Sequence, residues 1–146
     1  MLTAAVGDEI GRAALCWLVT EDARGRPTTL ARDAWAAVGG AVAVEGLLSP
    51  GVLRDLAINP WVVAGFLDAP GRRGWRVEGP GHLLDPEAEG FSLAREALAE
   101  AGFAPPRRVL RLEVARLDRL DLEEDDLLPA DRAAKGMALL RARETG

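Results

Sequence analysis

The sequence predicts a mainly β fold: a six-stranded, mostly antiparallel barrel with a few short helices and a C-terminal helical tail. Three observations predict it. Short apolar runs recur across residues 13–117, each closed by glycine, proline or acidic residues. Two of these runs flank Gly39-Gly40, the turn chemistry of a hairpin. Within that span only Ser49 to Pro60 and Pro86 to Ala101 carry the apolar spacing of helices.

At 146 residues the chain suits a single domain, 1–146, with a core at about 13–117 and an acidic, helical tail over 118–146. The net charge of −5 argues against a general nucleic-acid binder, which needs a basic face. Every basic residue except Lys135 is arginine. One cysteine, Cys16, cannot form an internal disulfide, and its apolar surroundings mark it as a small buried hydrophobe. No basic segment leads into an apolar one at the start, and no apolar run approaches the length of a membrane span. The expected setting is cytoplasmic, with no membrane partner.

Residues 1–12 offer a short helical or irregular lead-in. Ala13 to Thr20 follows as a strand whose apolar residues do not alternate, so protein is expected to cover both of its faces. Glu21 to Arg26 supplies a turn, and Pro27 can only start the next strand or sit on its edge. The second strand is expected at about Thr28 to Val38, bending at Arg32-Asp33, and the third from Ala41 to Leu47. Next comes Ser49 to Pro60, a cap and a short helix: Ser49 accepts, Pro50 fixes φ, Gly51 is permissive and Asn59-Pro60 stops the helix. Free N–H groups and the positive end of the dipole make that turn a candidate phosphate or carboxylate contact. An ordinary N-terminal cap explains the same residues.

Trp61 to Leu67 is a second covered strand, and Trp75 to Gly79 a strand with one wet face. Arg72, Arg73 and Arg76 cluster there, as a solvated loop or an anion contact. His82, the single histidine, has no ligand partner at metal spacing. Pro86 to Ala101 reads as a helix facing inward through Phe91, Ala94 and Leu98, and Val109 to Leu117 as the last strand. From Asp118 the chain turns acidic and solvated, and Ala130 to Arg143 reads as a terminal helix.

No catalytic motif is present: no CxxC, HExxH, P-loop or dinucleotide fingerprint. General acids and bases are scarce, which points to chemistry carried by a cofactor. The order of parts resembles the pyridoxamine 5′-phosphate oxidase-like family, the FMN-binding flavin split-barrel proteins. The family's "T-x-D-x-x-G-x-P" is matched by Thr20, Asp22, Gly25 and Pro27, and its basic residue on the second strand by Arg32. Its "S-P-G-T" appears as Ser49, Pro50, Gly51 and Val52, and its "L-x-x-N-P-x-V" as Leu56, Asn59, Pro60 and Val62. Its "K-G-[YF]-x-x-x-G" appears as Arg73, Gly74, Trp75 and Gly79.

The resemblance implies a split barrel of Greek-key type, an FMN cofactor, a homodimer with two sites in its interface, and oxidoreductase activity on a small molecule. It implies cofactor contacts from Arg32, Ser49, Gly51, Val52, Gly74 and Trp75, with Glu45 opposing the phosphate if it points inward. Two departures matter. Gly51 stands where many relatives place a phosphate-binding lysine, and Val52 replaces a threonine. They leave room for a different reading, a non-catalytic split-barrel module that has lost FMN or takes a deazaflavin or haem. A purely structural dimer whose acidic tail recruits a partner is a third.

Overall fold

The computed structural model describes residues 2–46, 49–68, 70 and 72–121. In chain order these form α1 (Ala4–Gly11), β1 (Cys16–Glu21), β2 (Pro27–Arg32), β3 (Trp35–Val38), β4 (Ala41–Glu45), α2 (Pro50–Ile58), β5 (Trp61–Asp68), β6 (Arg73–Leu84), α3 (Phe91–Glu100), β7 (Val109–Glu113) and β8 (Arg116–Asp121). The strands make one sheet in the order β2-β1-β5-β6-β7-β4-β3, with β8 also on β6, and every pairing is antiparallel. The sheet curls without closing. Its path ends at β2 on one side and β3 on the other.

Eight strands replace the expected six, for two physical reasons. The long second strand breaks at Asp33-Ala34, because its first half pairs with β1 and its second with β4. The expected last strand breaks after Glu113, because β7 follows β4 while β8 swings across to residues 73–78 of β6. Asp118 therefore does not open a solvated tail: it sits inside β8, 2.7 Å from Arg76 and 2.9 Å from Arg116. Those contacts, the Arg76 hydrogen bond foremost, hold its carboxyl below the usual range. The acidic run beyond Asp121 and the expected terminal helix lie outside the described residues.

β6 joins the two halves of the sheet. Residues 73–80 pair with β5 and 81–84 with β7, so the strand changes partners at Gly79-Pro80-Gly81. A Cβ on Gly79 would collide with the Glu113 carbonyl oxygen, and one on Gly81 would press on Val62 and Leu110. Only glycine lets the backbones cross there.

The main core lies inside the curl, around Phe66, Leu18, Val42, Val62, Val77 and Leu112. α1 closes one end of it: Trp35 donates its Nε1–H to the Ile10 carbonyl at 3.2 Å and packs on Phe66 with centroids 5.5 Å apart. α3 covers a smaller cluster through Phe91, Ala94 and Leu98, beginning at Phe91 after an N-cap at Gly90, later than its proline-led pattern suggests. β1 and β5 alternate after all. Their inward residues are buried, while Trp17 is 51% and Trp61 42% exposed, so nothing among the described residues covers the outer face.

Two measurements check this architecture. Gly79→Ala should cost at least about 2 kcal/mol in urea unfolding, whereas Gly65→Ala, whose added carbon meets nothing, should stay within about 0.5 kcal/mol. Burial pushes the Cys16 thiol up to about 12, so in native protein it should resist alkylation at mildly alkaline pH and react promptly once unfolded.

Candidate functional site

α2 is built as its sequence dictates. Ser49 in an extended conformation caps it, its Oγ accepting the Val52 N–H at 3.3 Å, and Pro50 fills the first turn without needing a partner. Val52 and Leu56 face the core, and Asn59 ends the helix. The cap consumes what the sequence offered as a ligand contact. Val52 N–H goes to Ser49 Oγ and Leu53 N–H to Ser49 O, so among the described residues Gly51 N–H is the donor of that turn with no acceptor.

α2 is fastened to β1 by polar contacts. Thr20 donates its hydroxyl to Asp55 Oδ2 at 2.8 Å, both residues being at least 95% buried. One turn further on, Asn59 donates its amide to Glu21 Oε2 at 3.2 Å. A buried carboxylate held by a buried hydroxyl sets the depth at which the helix rests on the strand.

Arg32 ends β2 and Glu45 ends β4, and the structure joins them. The guanidinium donates through Nε to the Glu45 carbonyl at 3.0 Å and through Nη2 to Glu45 Oε2 at 3.1 Å. Gly46 makes room, since a Cβ there would sit on the Arg32 guanidinium. Glu45 thus points at the cation. No hydrogen bond among the described residues links Arg32 to the Ser49–Val52 turn.

Trp75 and Gly74 lie elsewhere. Arg32, Cys16, Phe66 and Trp75 are successive partners across β2, β1, β5 and β6, which puts Arg32 and Trp75 three strand spacings, about 14 Å, apart. The intervening Cys16 and Phe66 are buried. Trp75 donates Nε1–H to Glu9 Oε2 at 2.8 Å and carries Arg119 over its ring at 5.9 Å. A Cβ on Gly74 would strike the Phe66 carbonyl, so that glycine serves strand pairing. The predicted contacts therefore form three separate groups: Arg32 with Glu45, Ser49 with Gly51 and Val52, and Gly74 with Trp75.

A cleft of about 490 Å³ opens between the β1–β2 turn and α2, where Gly51 meets Arg24, Arg26 and Arg54. Of these, only Gly51 stood among the expected contacts. The signal for the arginines was present: Arg24 and Arg26 sit in the Asp22-to-Pro27 turn, and Arg54 lies off the apolar face of α2. Asp22 shapes the turn, its Oδ1 accepting from the Arg24 and Arg26 N–H groups and its Oδ2 from Arg26 Nε. These bonds, the Arg26 N–H foremost, hold the Asp22 carboxyl below its ordinary range. His82 stands 3.6 Å from Glu113, half exposed, and no cluster of metal-ligating side chains occurs among the described residues.

Among solved structures the chain is similar to HupZ of Group A Streptococcus, at 20% identity over 83% of this chain and 95% of that one, with a TM-score of 0.67. It is also similar to a pyridoxamine 5′-phosphate oxidase-related, FMN-binding protein from Nostoc punctiforme, at 14% identity, 84% and 87% coverage and a TM-score of 0.61. An F420 reductase aligns at 18% identity over 80% of this chain and 98% of that one, with a TM-score of 0.58. The chain shares the split β-barrel fold of these structures. No protein-family model and no curated protein matches the sequence. Among the described residues no helix is long and apolar enough to cross a membrane.

The fastening of α2 is open to direct test. Thr20→Val removes a donor from a buried carboxylate and should cost about 1–3 kcal/mol in urea unfolding, while Thr20→Ser should recover most of the loss.

Proposed function

We propose that the protein binds FMN and acts as a flavin-dependent oxidoreductase on a small molecule, as a cytoplasmic homodimer. The observation that carries this reading is the split-barrel fold combined with the ordered motif residues, since fold alone hosts many activities.

Arg32 spends two N–H groups on Glu45 and keeps the rest of its five for a ligand. Ser49 retains acceptor and hydroxyl capacity after capping, and Gly51 N–H is open. These groups fit a phosphate through hydrogen bonds, although Glu45 offsets the arginine's charge. In this reading Arg32, Ser49 and the Gly51 N–H hold the phosphate while Val52 keeps its own N–H on the Ser49 cap, and Gly74 and Trp75 bound the cofactor from β6. FMN, when bound, supplies hydride transfer; the chain's residues orient it and exclude water. The dimer draws on the exposed Trp17, Trp61 and Leu67, large apolar side chains of the kind that interfaces bury.

A second reading has a specific observation in its favour. Val52 is buried, Gly51 has no side chain, and Arg32 is already paired, so the phosphate donors of the family are thinned. A split-barrel module using a deazaflavin or haem, or no cofactor, accommodates that.

Titration with FMN and riboflavin separates these readings. Native protein should bind FMN with the visible spectrum of a bound flavin and bind riboflavin poorly. Arg32→Ala should weaken FMN by about tenfold with little effect on riboflavin, and Glu45→Gln should tighten FMN by freeing the cation. Equal losses of both flavins in Arg32→Ala would show that the arginine only holds the fold. Light scattering at micromolar concentration should return a dimer mass for native protein and a monomer for Trp17→Glu; a native monomer defeats the dimer.

A further inference from the structure

We propose that the cleft between the β1–β2 turn and α2 is an anion site for a phosphate-bearing small molecule, gripped by the guanidinium groups of Arg24, Arg26 and Arg54. The inference stands whether or not the protein binds a flavin.

Three cations from two elements line one cleft in a chain whose net charge is −5. The two carboxylates on its wall are already committed. Asp22 has both oxygens engaged by its own turn and by Arg26, and Asp55 is 5% exposed and takes the Thr20 hydroxyl. Arg24 and Arg54 form no ion pair with a carboxylate among the described residues. The turn presenting Arg24 and Arg26 is ordered by backbone bonds, Asp22 N–H to Arg26 O at 2.9 Å and Gly25 N–H to Asp22 O at 3.0 Å. A turn held in this way fixes the backbone from which both arginines reach toward the cleft.

Gly51 supplies an independent observation. Its φ is not positive, and an added Cβ would find only Ser49 Oγ at 3.9 Å and Arg54 Nη2 at 4.0 Å. Among the described residues nothing in the packing requires glycine at this position. Gly51 lines the cleft beside Arg54, so a side chain here would take up part of it. Guanidinium forks match carboxylates and phosphates alike, but a carboxylate is saturated by one fork, whereas a phosphate presents oxygens to several. Three arginines around one cleft favour the phosphate.

Calorimetric titration of the full chain with inorganic pyrophosphate tests this. Native protein should bind it, with affinity falling as salt rises, and Arg24→Ala and Arg54→Ala should each weaken binding about tenfold or more. Gly51→Leu should block the cleft while leaving every charge in place. Arg95→Ala, which removes an exposed cation on α3 outside both the cleft and the proposed flavin contacts, should leave pyrophosphate affinity unchanged. Thermal melts identify any variant that fails to fold, and Arg54→Lys then tests the same position with the charge kept and the fork lost. An FMN arm identifies the source of the phosphate. If the cleft variants weaken FMN and spare riboflavin, the occupant is the flavin's phosphate; if they weaken pyrophosphate and spare FMN, it is a separate phosphate ester. Either result supports the site. Absent binding by native protein, unchanged affinity in Arg24→Ala and Arg54→Ala, or an equal loss in Arg95→Ala overturns it. Failure of FMN to bind while pyrophosphate binds defeats the flavin reading and leaves this one standing.

Discussion

The backbone at Gly79-Pro80-Gly81 is the constraint on which the rest depends. One strand serves two half-sheets only if it changes partners within a few residues, and a Cβ at Gly79 would overlap the carbonyl oxygen of the chain crossing it. Proline between the glycines gives up an N–H that no ladder could use at the crossing. Gly81 N–H goes to the Pro60 carbonyl at 2.7 Å and Ala115 N–H to Glu78 O at 2.9 Å, so α2's exit and β8's entry are both pinned to this junction. The β1–β2 turn and α2 are held beside one another because β1, β5 and β6 are fixed from here.

The opposite seam is fastened differently. Where β2 turns into β3, Glu45 N–H reaches Ala34 O at 2.9 Å, and the Arg32 guanidinium spans the corner to Glu45. Both side chains are partly buried, 21% and 31% exposed, so removing either strands a charge that water only partly screens. Arg32 is therefore a structural tie as well as a proposed phosphate contact. Arg24 and Arg54 carry no such double duty, which is why their substitution reads ligand binding more cleanly.

Much of the fold was legible because it rests on local chemistry. Gly39-Gly40 made the β3–β4 hairpin, Ser49-Pro50 started α2 and Asn59-Pro60 ended it. The strand count was not legible, because β2 and β3, and likewise β7 and β8, are each nearly continuous in sequence and are divided by which partner lies alongside. Asp118 looked solvated since acidity alone cannot announce that Arg76 and Arg116 wait across the sheet. The site was legible in pieces. Ser49 and Gly51 fell where expected on α2, while the pairing of Arg32 with Glu45 joins residues 13 apart in sequence through a corner that periodicity does not reveal. The arginines of the cleft were visible only as turn and helix-surface charges, and it took the packing of α2 on β1 to bring them together.

The unbroken apolar runs of β1 and β5 predict cover on both faces, and within the chain only one face has it. Within the chain the strands alternate, leaving Trp17, Val19, Trp61, Val63 and Leu67 as an outer stripe across two neighbouring strands, with side-chain-free Gly65 directly opposite Trp17. A stripe of that kind is costly to leave in water, and the proposed second subunit is what would restore the missing cover. Its upper end is a groove of about 250 Å³ between Val19, Pro27 and Trp61, bordered by Glu21. Glu21 and Pro27 are also the posts of the turn that holds Arg24 and Arg26 over the cleft. In the proposed dimer a subunit seated on the stripe bears on those posts, so association and anion binding act on the same short turn.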